Sequence, residues 1–407
     1  NALFHLTDPR GASDKSGRTF NNPYQYFFEQ MHMDDAIYAD ESIYEYPMQQ
    51  GGGNDGRPYS FGRPSSGGSK AAYPCKSYGQ GRINPAYFYG VFDPNDMRRD
   101  VSITMTGSNG KGVEKLIPFV PNSKAEGGGL TLNKWDENRQ ANPWVAAQRK
   151  SGINGPYMRM SEVYLGYAEV CAALGDVVTG KQYLKTVRER SFPQGLANTD
   201  AFIASFGNDL VRAIIEERGF EYAGEGDRRW TLIRSGYLPE DIKRIKDMTK
   251  AMMDGLATKG YYEFENGNII SAYIWTKLVD AKTIYGHRLT AQCPTDKVND
   301  PVLYPGWRGQ KDNWEEMGLN YGSSTPATNL AIKGLFEIVS EEEAASLESQ
   351  GYTKVNWGID LVDNRDEYDK YLFWDYDYVS APIYLWPFTP NVMAAGGFTN
   401  GYGFKQE

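Results

Sequence analysis

Cysteine and histidine are scarce in this chain of 407 residues, and their scarcity excludes several chemistries. Cys75, Cys171 and Cys293 lie far apart and form no CxxC pair, which argues against a zinc site and a thioredoxin-type motif. Cys171 falls on the apolar face of a predicted helix and reads as a small buried hydrophobe. A Cys75–Cys293 bridge stays open. His5, His32 and His287 are the only histidines, too few for a multi-histidine centre, so we expect no metal and no cofactor. No uninterrupted apolar run reaches the roughly 18 residues of a membrane-spanning helix, and no signal-peptide pattern is visible. Excess positive charge is missing as well. A net charge of -9 without a Lys/Arg block argues against nucleic acid and against adhesion to anionic lipid. The chain opens in Asn1-Ala-Leu-Phe-His-Leu, which reads as the middle of an element. We therefore expect a start that was processed, cleaved or left out, with targeting information lost.

What is present points to a folded, aromatic-rich protein. Hydrophobic residues are 40% and charged residues 23%, enough for a core across two or three domains or one large one. Aromatics are 14%, including 29 Tyr and 9 Trp, which hints at exposed stacking surfaces, although packing under long loops accounts for most of them. Twelve of the 21 prolines lie in residues 1–156, two in 157–293 and seven in 294–407. Proline removes a backbone donor and blocks helix interiors, so the middle third should be helical and the flanks rich in loops.

Residues 1–156 open on a strand expected at Ala2–Leu6. Glycine-rich stretches follow at 49–59 and 62–69, without the spacing of a P-loop or a dinucleotide fingerprint. Gly107-Ser-Asn-Gly-Lys-Gly112 reads as a hairpin turn between strands at Val101–Thr106 and Val113–Ile117. In the middle third, Asn154-Gly-Pro156 reads as a helix start with proline at the first helical position. The spacing then predicts helices from Tyr157 to a stop at Gly175, over Lys181–Arg190, over 202–222 with a cap at Thr199 or Asp200, and from Pro239 to about Ala257. Helix–turn–helix units of roughly 34 residues suggest TPR-like stacking. Residues 261–407 mix short strands and loops, with a helix expected over Asn329–Ser349.

The densest charge lies in Asn208–Gly236: Glu216, Glu217, Arg218, Glu221, Glu225, Asp227, Arg228, Arg229 and Arg234. Paired carboxylates for glycoside hydrolysis are one reading. A structural ion-pair clamp between two helices is the reading we favour, because helix spacing sets the charges against one another. The acidic run Asp363–Asp369 lacks the alternating ligands and glycine of an EF-hand and reads as a solvated face.

Several blocks carry a resemblance. Arg159-Met-Ser-Glu-Val-Tyr-Leu-Gly-Tyr-Ala-Glu-Val170 closely resembles the "R-x-A/S-E-x-Y-L-x-x-A-E-A" helix of the SusD/RagB family, nutrient-binding lipoproteins of Bacteroidetes outer membranes. Thr186-Val-Arg-Glu-Arg190 resembles its following "LN-x-V-R-x-R". Glu217 to Gly236 resembles its "ER-x-x-E-x-x-x-EG-x-R-x-x-D-L-x-R-x-G" signature, with Thr231 where the family usually has Asp. Phe92-Asp-Pro-Asn-Asp-Met-Arg-Arg99 and Leu385-Trp-Pro-Phe-Thr-Pro390 resemble its flanking segments. The blocks stand in order across about residues 90–395.

The resemblance implies a mainly α fold with a large irregular part: a TPR-like helical-hairpin scaffold packed against a loop-rich lobe with a few short strands. We expect a ligand-binding lobe at 1–154, the scaffold at 155–260, and a mixed C-terminal part at 261–407 packing on it. It also implies a non-catalytic protein on the extracellular face of the outer membrane, held by a lipid anchor that this chain does not carry. There it would sit as a lid on a SusC-like TonB-dependent transporter. The implied cargo is an oligosaccharide, with peptide as the alternative; a secreted glycoside hydrolase is the rival of a different class. Sugars present apolar C–H faces that stack on aromatic rings, with polar groups fixing the hydroxyls. The family builds its ligand face from loops before the first signature helix, by position about residues 38–145. The candidates there are Tyr44, Tyr46, Asn54, Asp55, Arg57, Tyr59, Tyr73, Tyr78, Trp135 and Trp144. The Trp307–Trp314 loop is expected to pack on the transporter.

Overall fold

The proline-poor middle third forms consecutive helices, and the other elements are arranged about it. The computed structural model describes residues 4–6, 12–13, 19–20, 24, 27–28, 41–48, 61–62, 65–66, 76–77, 81–108, 114–117, 119, 129–135, 153–280, 328–366, 384 and 388–397. Short strands precede the helices: β1 (Ala12–Ser13), β2 (Thr19–Phe20), β3 (Ser42–Tyr46), β4 (Ser65–Ser66), β5 (Lys76–Ser77), β6 (Ile103–Thr104), β7 (Thr106–Ser108), β8 (Glu114–Leu116) and β9 (Thr131–Leu132). A short helix α1 (Arg98–Ser102) lies among them, and β10 (Gly155–Arg159) leads into the scaffold. The scaffold helices are α2 (Met160–Ala173), α3 (Val177–Glu189), α4 (Thr199–Ala204), α5 (Leu210–Glu221), α6 (Asp227–Ser235) and α7 (Leu238–Lys259). After them come β11 (Tyr261–Glu263), β12 (Ile269–Ser271), β13 (Tyr273–Asp280), β14 (Thr328–Lys333), α8 (Glu341–Ser349), β15 (Thr353–Asn356), α9 (Gly358–Asp363) and α10 (Pro390–Gly396). The protein is thus mainly helical with a few short strands.

Helix ends follow the local chemistry. The stop at Gly175 is present, with φ 88°, and the Asp176 side chain then caps α3 by accepting from the Thr179 amide at 3.1 Å. Helices α2 and α3 pack closely because Gly180 has no side chain; a Cβ there would meet the Ala168 carbonyl oxygen at 2.9 Å. The helix expected over 202–222 is two. Gly207 and Asn208 both take left-handed backbone, at φ 66° and 64°, which turns the chain between α4 and α5. Asn198 caps the first and Asp209 the second, so neither Thr199 nor Asp200 is the cap.

Further expectations are corrected. Pro156 does not start a helix: Gly155–Arg159 pairs antiparallel with β3, with Gly155 opposite Tyr46 and Pro156 opposite Glu45, and the helix begins at Met160. Asn329–Ser349 is not one helix. Residues up to Lys333 alternate and pair with β13, Gly334 turns at φ 77°, and only Glu341–Ser349 is helical. Phe4, His5 and Leu6, inside the strand expected at the start, have no regular structure. A hairpin pairs Thr106 with Leu116 as expected, but its first strand is Thr106–Ser108, while Val101 and Ser102, expected in that strand, end helix α1, and Gly107 and Ser108, expected in the turn, are paired.

One hydrophobic core joins residues before, within and after the scaffold helices. Phe88, Phe92 and Phe119 meet Phe220, Met252 and Leu256 from the scaffold, and Ile274, Leu330, Ile332 and Trp357 from beyond it. Trp357 Nε1 donates to the Tyr89 hydroxyl at 2.9 Å, so its polar atom is satisfied inside this core. A second cluster of Leu165, Leu184, Leu210 and Ile214 joins α2, α3 and α5.

Candidate functional site

Helix α5 is buried on nearly all sides, yet it carries Glu216, Glu217, Arg218 and Glu221. A buried carboxylate is costly unless paired and hydrogen-bonded, so each one dictates its surroundings. Glu217 accepts from Arg98 at 2.7 Å and from Arg188 at 2.8 Å. Glu221 accepts from Arg159 at 2.8 Å, Arg190 at 2.6 Å and Arg98 at 3.2 Å. Arg159 grips Glu225 with two parallel bonds, both 2.9 Å, and reaches Glu41 at 2.7 Å. Arg190 holds Glu41 from the other side, and Asp96 forks onto Arg98. Lys134 completes the lattice, donating to Glu225 at 2.6 Å and to the Glu221 carbonyl at 3.1 Å.

The electrostatics follow from that count of charges. Burial would raise the Glu41 and Glu221 carboxyls, but the arginines outweigh it and hold both below the usual carboxylate range. Burial pulls the Lys134 ammonium down to about 8, against the opposing pull of Glu225. The clamp is therefore broader than two helices: it ties α5 to β3's leading residue Glu41, to α1, β10 and α3. Glu216 makes a second knot with Arg228 and Arg244, both at 2.8 Å, which also share Asp241. Thr231 fits the lattice by accepting from Arg218 at 3.3 Å and donating to Asp227 at 2.8 Å. Sealed between arginines and nearly without solvent exposure, Glu216, Glu217 and Glu221 are closed to any substrate.

The β3–β10 ribbon rides on this lattice. The pairing is irregular, with register shifts between Pro156 and Met158 and between Met158 and Arg159, and it buries Glu45 and Arg159 while leaving Tyr44, Tyr46 and Tyr157 exposed. Tyr44 and Tyr46 are each 56% exposed and Tyr157 is 70% exposed. Tyr44 and Tyr157 meet edge to face across the ribbon, with centroids 5.7 Å apart. Asn154 closes the far end of the ribbon: it donates to Glu45 at 2.9 Å and accepts from the Met48 amide at 2.8 Å. The result is a firmly anchored aromatic surface that offers ring faces and hydroxyls to solvent.

Of the residues expected at the ligand face, the structure brings Tyr44 and Tyr46 together on this ribbon. Trp135 is corrected: it is 0% exposed, packed edge-on against Phe28 beneath the lattice, and unavailable to a ligand. Asn54, Asp55, Arg57, Tyr59, Tyr73, Tyr78 and Trp144 lie outside the described residues, as does Trp307–Trp314. Tyr157 was missed because it was placed in a helix. No alternation marks it: Gly155, Pro156 and Arg159 are buried and Tyr157 and Met158 exposed, a pattern tied to the register shifts against Ser42–Tyr46. Among the described residues, no group of three or more His, Cys, Asp or Glu is arranged to hold a metal ion, and no helix is long and apolar enough to cross a membrane.

Buried arginine–carboxylate pairs thus lock a helical-hairpin scaffold that carries an aromatic ribbon on its surface. The model described as the SusD family matches residues 7–387, and the chain belongs to that family. A curated relative, SusD-like protein P25 of Formosa agariphila, is 28% identical over 160 residues, 39% of this chain and 26% of that protein. Among solved structures, a SusD homolog from Bacteroides thetaiotaomicron aligns at 20% identity and a TM-score of 0.37, covering 57% of this chain and 47% of that one. Surface glycan-binding protein A from the same organism, in complex with laminarihexaose, aligns at 18% identity and a TM-score of 0.37, covering 52% and 46%. The chain thus spans about a quarter of the curated relative and under half of each of these solved structures.

Proposed function

We propose that this protein binds an oligosaccharide at the cell surface without cleaving it and delivers it to a SusC-like TonB-dependent transporter. The observation that carries the binding is the set of three exposed tyrosines, Tyr44, Tyr46 and Tyr157, on a ribbon anchored from below. Rings held in place lose little freedom when a sugar stacks on them, which favours affinity. Family membership supports the surface setting, the lipid anchor and the transporter partner. In this reading residues 1–154 form the ligand-binding lobe, 155–260 the scaffold and 261–407 the part packed on it. The carboxylates that would suit a hydrolase are instead sealed in the lattice, which supports a binding role.

Calorimetry against a glycan panel and a peptide pool tests the cargo. The expected result is binding to a glycan that weakens about tenfold or more when Tyr44 and Tyr157 are both changed to Ala, each stacked ring being worth about 1 kcal/mol. Binding of peptides and of no glycan would replace the cargo with peptide. Release of reducing ends at catalytic rates would overturn the non-catalytic role.

A further inference from the structure

We propose that the outward face of α2 is an interface with a second copy of this chain, packed helix against helix about a two-fold axis. Helix α2 is apolar on two faces. Leu165 and Ala168 fill the inner one and belong to the cluster shared with α3 and α5. Val163, Tyr167, Val170 and the C-cap Leu174 line the outer one, with exposure from 40% at Val163 to 82% at Leu174. The steps between them are four, three and four residues, the spacing of a two-heptad seam rather than of scattered surface residues. A helix with a second apolar face ordinarily has a second neighbour.

The charges of α2 stand beside the seam and are already engaged. Glu162 accepts from Arg218 at 3.5 Å, and Glu169 accepts from Arg234 at 2.9 Å. Arg218 also holds Asp227, so both ends of α6 are tied to the flank of α2. Trp230, exposed on α6 between Asp227 and Arg234, widens the apolar surface there. Symmetry, charge and area select a second copy as the occupant. Positions 163 and 174, and 167 and 170, are equidistant from the midpoint of the stripe. An antiparallel copy therefore sets Val163 against Leu174 and Tyr167 against Val170, a smaller side chain against a larger one each time. Gly166 lets the helices approach, since a Cβ there would meet no described atom within 4 Å. The four seam residues carry no charge, so two chains of net charge -9 can meet along them without opposing carboxylates. With Val178 and Trp230, the exposed apolar surface is on the order of 600 Å² per copy, and two copies reach the roughly 1,200 Å² at which specific interfaces begin. The seam contains none of the ribbon tyrosines and does not rest on their role.

Sedimentation equilibrium of the full chain between about 1 and 100 µM should show a monomer passing to a dimer, because interfaces near the lower size limit bind in the micromolar range. Val163→Glu and Leu174→Lys should each weaken self-association about tenfold or more, by setting a charge against an apolar side chain. Their unfolding midpoints should stay at the unaltered value, since both side chains are exposed. An equimolar mixture of the two variants should dimerise again. The antiparallel register sets the introduced glutamate against the introduced lysine at one end and leaves valine against leucine at the other. In the unaltered protein, hydrogen exchange should slow in α2 and stay constant in α7 as concentration rises. The proposal is overturned if the chain stays monomeric at about 100 µM, which would assign the face to a different partner. It is equally overturned if neither variant weakens the dimer, if the mixture stays monomeric, or if exchange in α2 is independent of concentration.

Discussion

Tyr157 and Arg159 lie two residues apart on one strand and occupy opposite environments. Tyr157 stands in solvent beside Tyr44, and its loss would leave no buried group unpaired. Arg159 is buried and serves Glu41, Glu221 and Glu225 at once. The comparison between lattice and ribbon teaches where the legible signature of this chain belongs. Arg159, Arg188, Arg190, Glu217 and Glu221 form the recognisable blocks, and all of them are internal. The surface proposed for the ligand is carried on the same strand by exposed residues that form no motif. The lattice fixes the ribbon's position, and the ribbon carries the exposed rings.

The largest way to break this comparison is Glu221→Ala. It strips one acceptor from Arg98, Arg159 and Arg190 together and leaves buried guanidinium groups with uncompensated charge. A loss of about 3–5 kcal/mol in denaturant unfolding is expected, or failure to fold if the protein is marginal. A change below about 1 kcal/mol would mean that water enters the lattice, and the contrast with the ribbon would collapse.

Arg159→Lys asks how far the lattice positions the ribbon. Lysine keeps the charge but cannot make the forked pair to Glu225 and still reach Glu41. A destabilisation of about 2 kcal/mol is expected, with faster hydrogen exchange at the β3 and β10 amides than in α7. Uniform exchange throughout the protein would remove the special link between Arg159 and the ribbon.

Much of the scaffold was legible because helical spacing is local. The apolar beat placed α2 and α7, and Gly175 ended α2 where a left-handed residue was needed. The mixed charges of α5 were also legible as a clamp. Its reach was not: Glu41 lies 149 positions from Arg190, and no spacing rule connects them. Proline misled at Pro156, because proline at a strand start looks like proline at the first helical position until β3 supplies a partner. At Asn329–Lys333 the short alternating run lost to a longer helical pattern downstream, since its pairing strand lies some fifty residues earlier. Trp135 is expected at the ligand face only by its position among the loops before the first signature helix, whereas Phe28 and the lattice cover it.

Lys134 gives the lattice a pH signature of moderate size. Its ammonium is held at about 8, below its ordinary value near 10.4, so between those values the unfolded chain binds more protons than the folded one. Stability should therefore rise with pH across that window, and the cost of burying the charge should be fully present below it. A gain of about 2 kcal/mol between pH 7.5 and 10 is expected relative to Lys134→Met, which removes the titrating group. Parallel stability curves for the two proteins would show that Lys134 keeps its ordinary affinity for the proton. The depressed carboxyls act at the other end. Their contribution is present above the normal carboxylate range and is lost as pH falls through and below it.

The smallest expected effect on stability sharpens the comparison most. Tyr44→Ala with Tyr157→Ala removes two exposed rings and one edge-to-face contact but no buried hydrogen bond. Each substitution away from buried features costs about 0.5 kcal/mol or less, and the ring pair adds about 0.5–1.5 kcal/mol, so the melting temperature should fall by only a few degrees. Ligand affinity should fall by about tenfold or more in the same protein. That pairing of outcomes is the opposite of Glu221→Ala, where stability fails and any loss of binding follows from it. If the tyrosine variant instead unfolded, the ribbon would be part of the fold's support, and function would have to be sought on another surface.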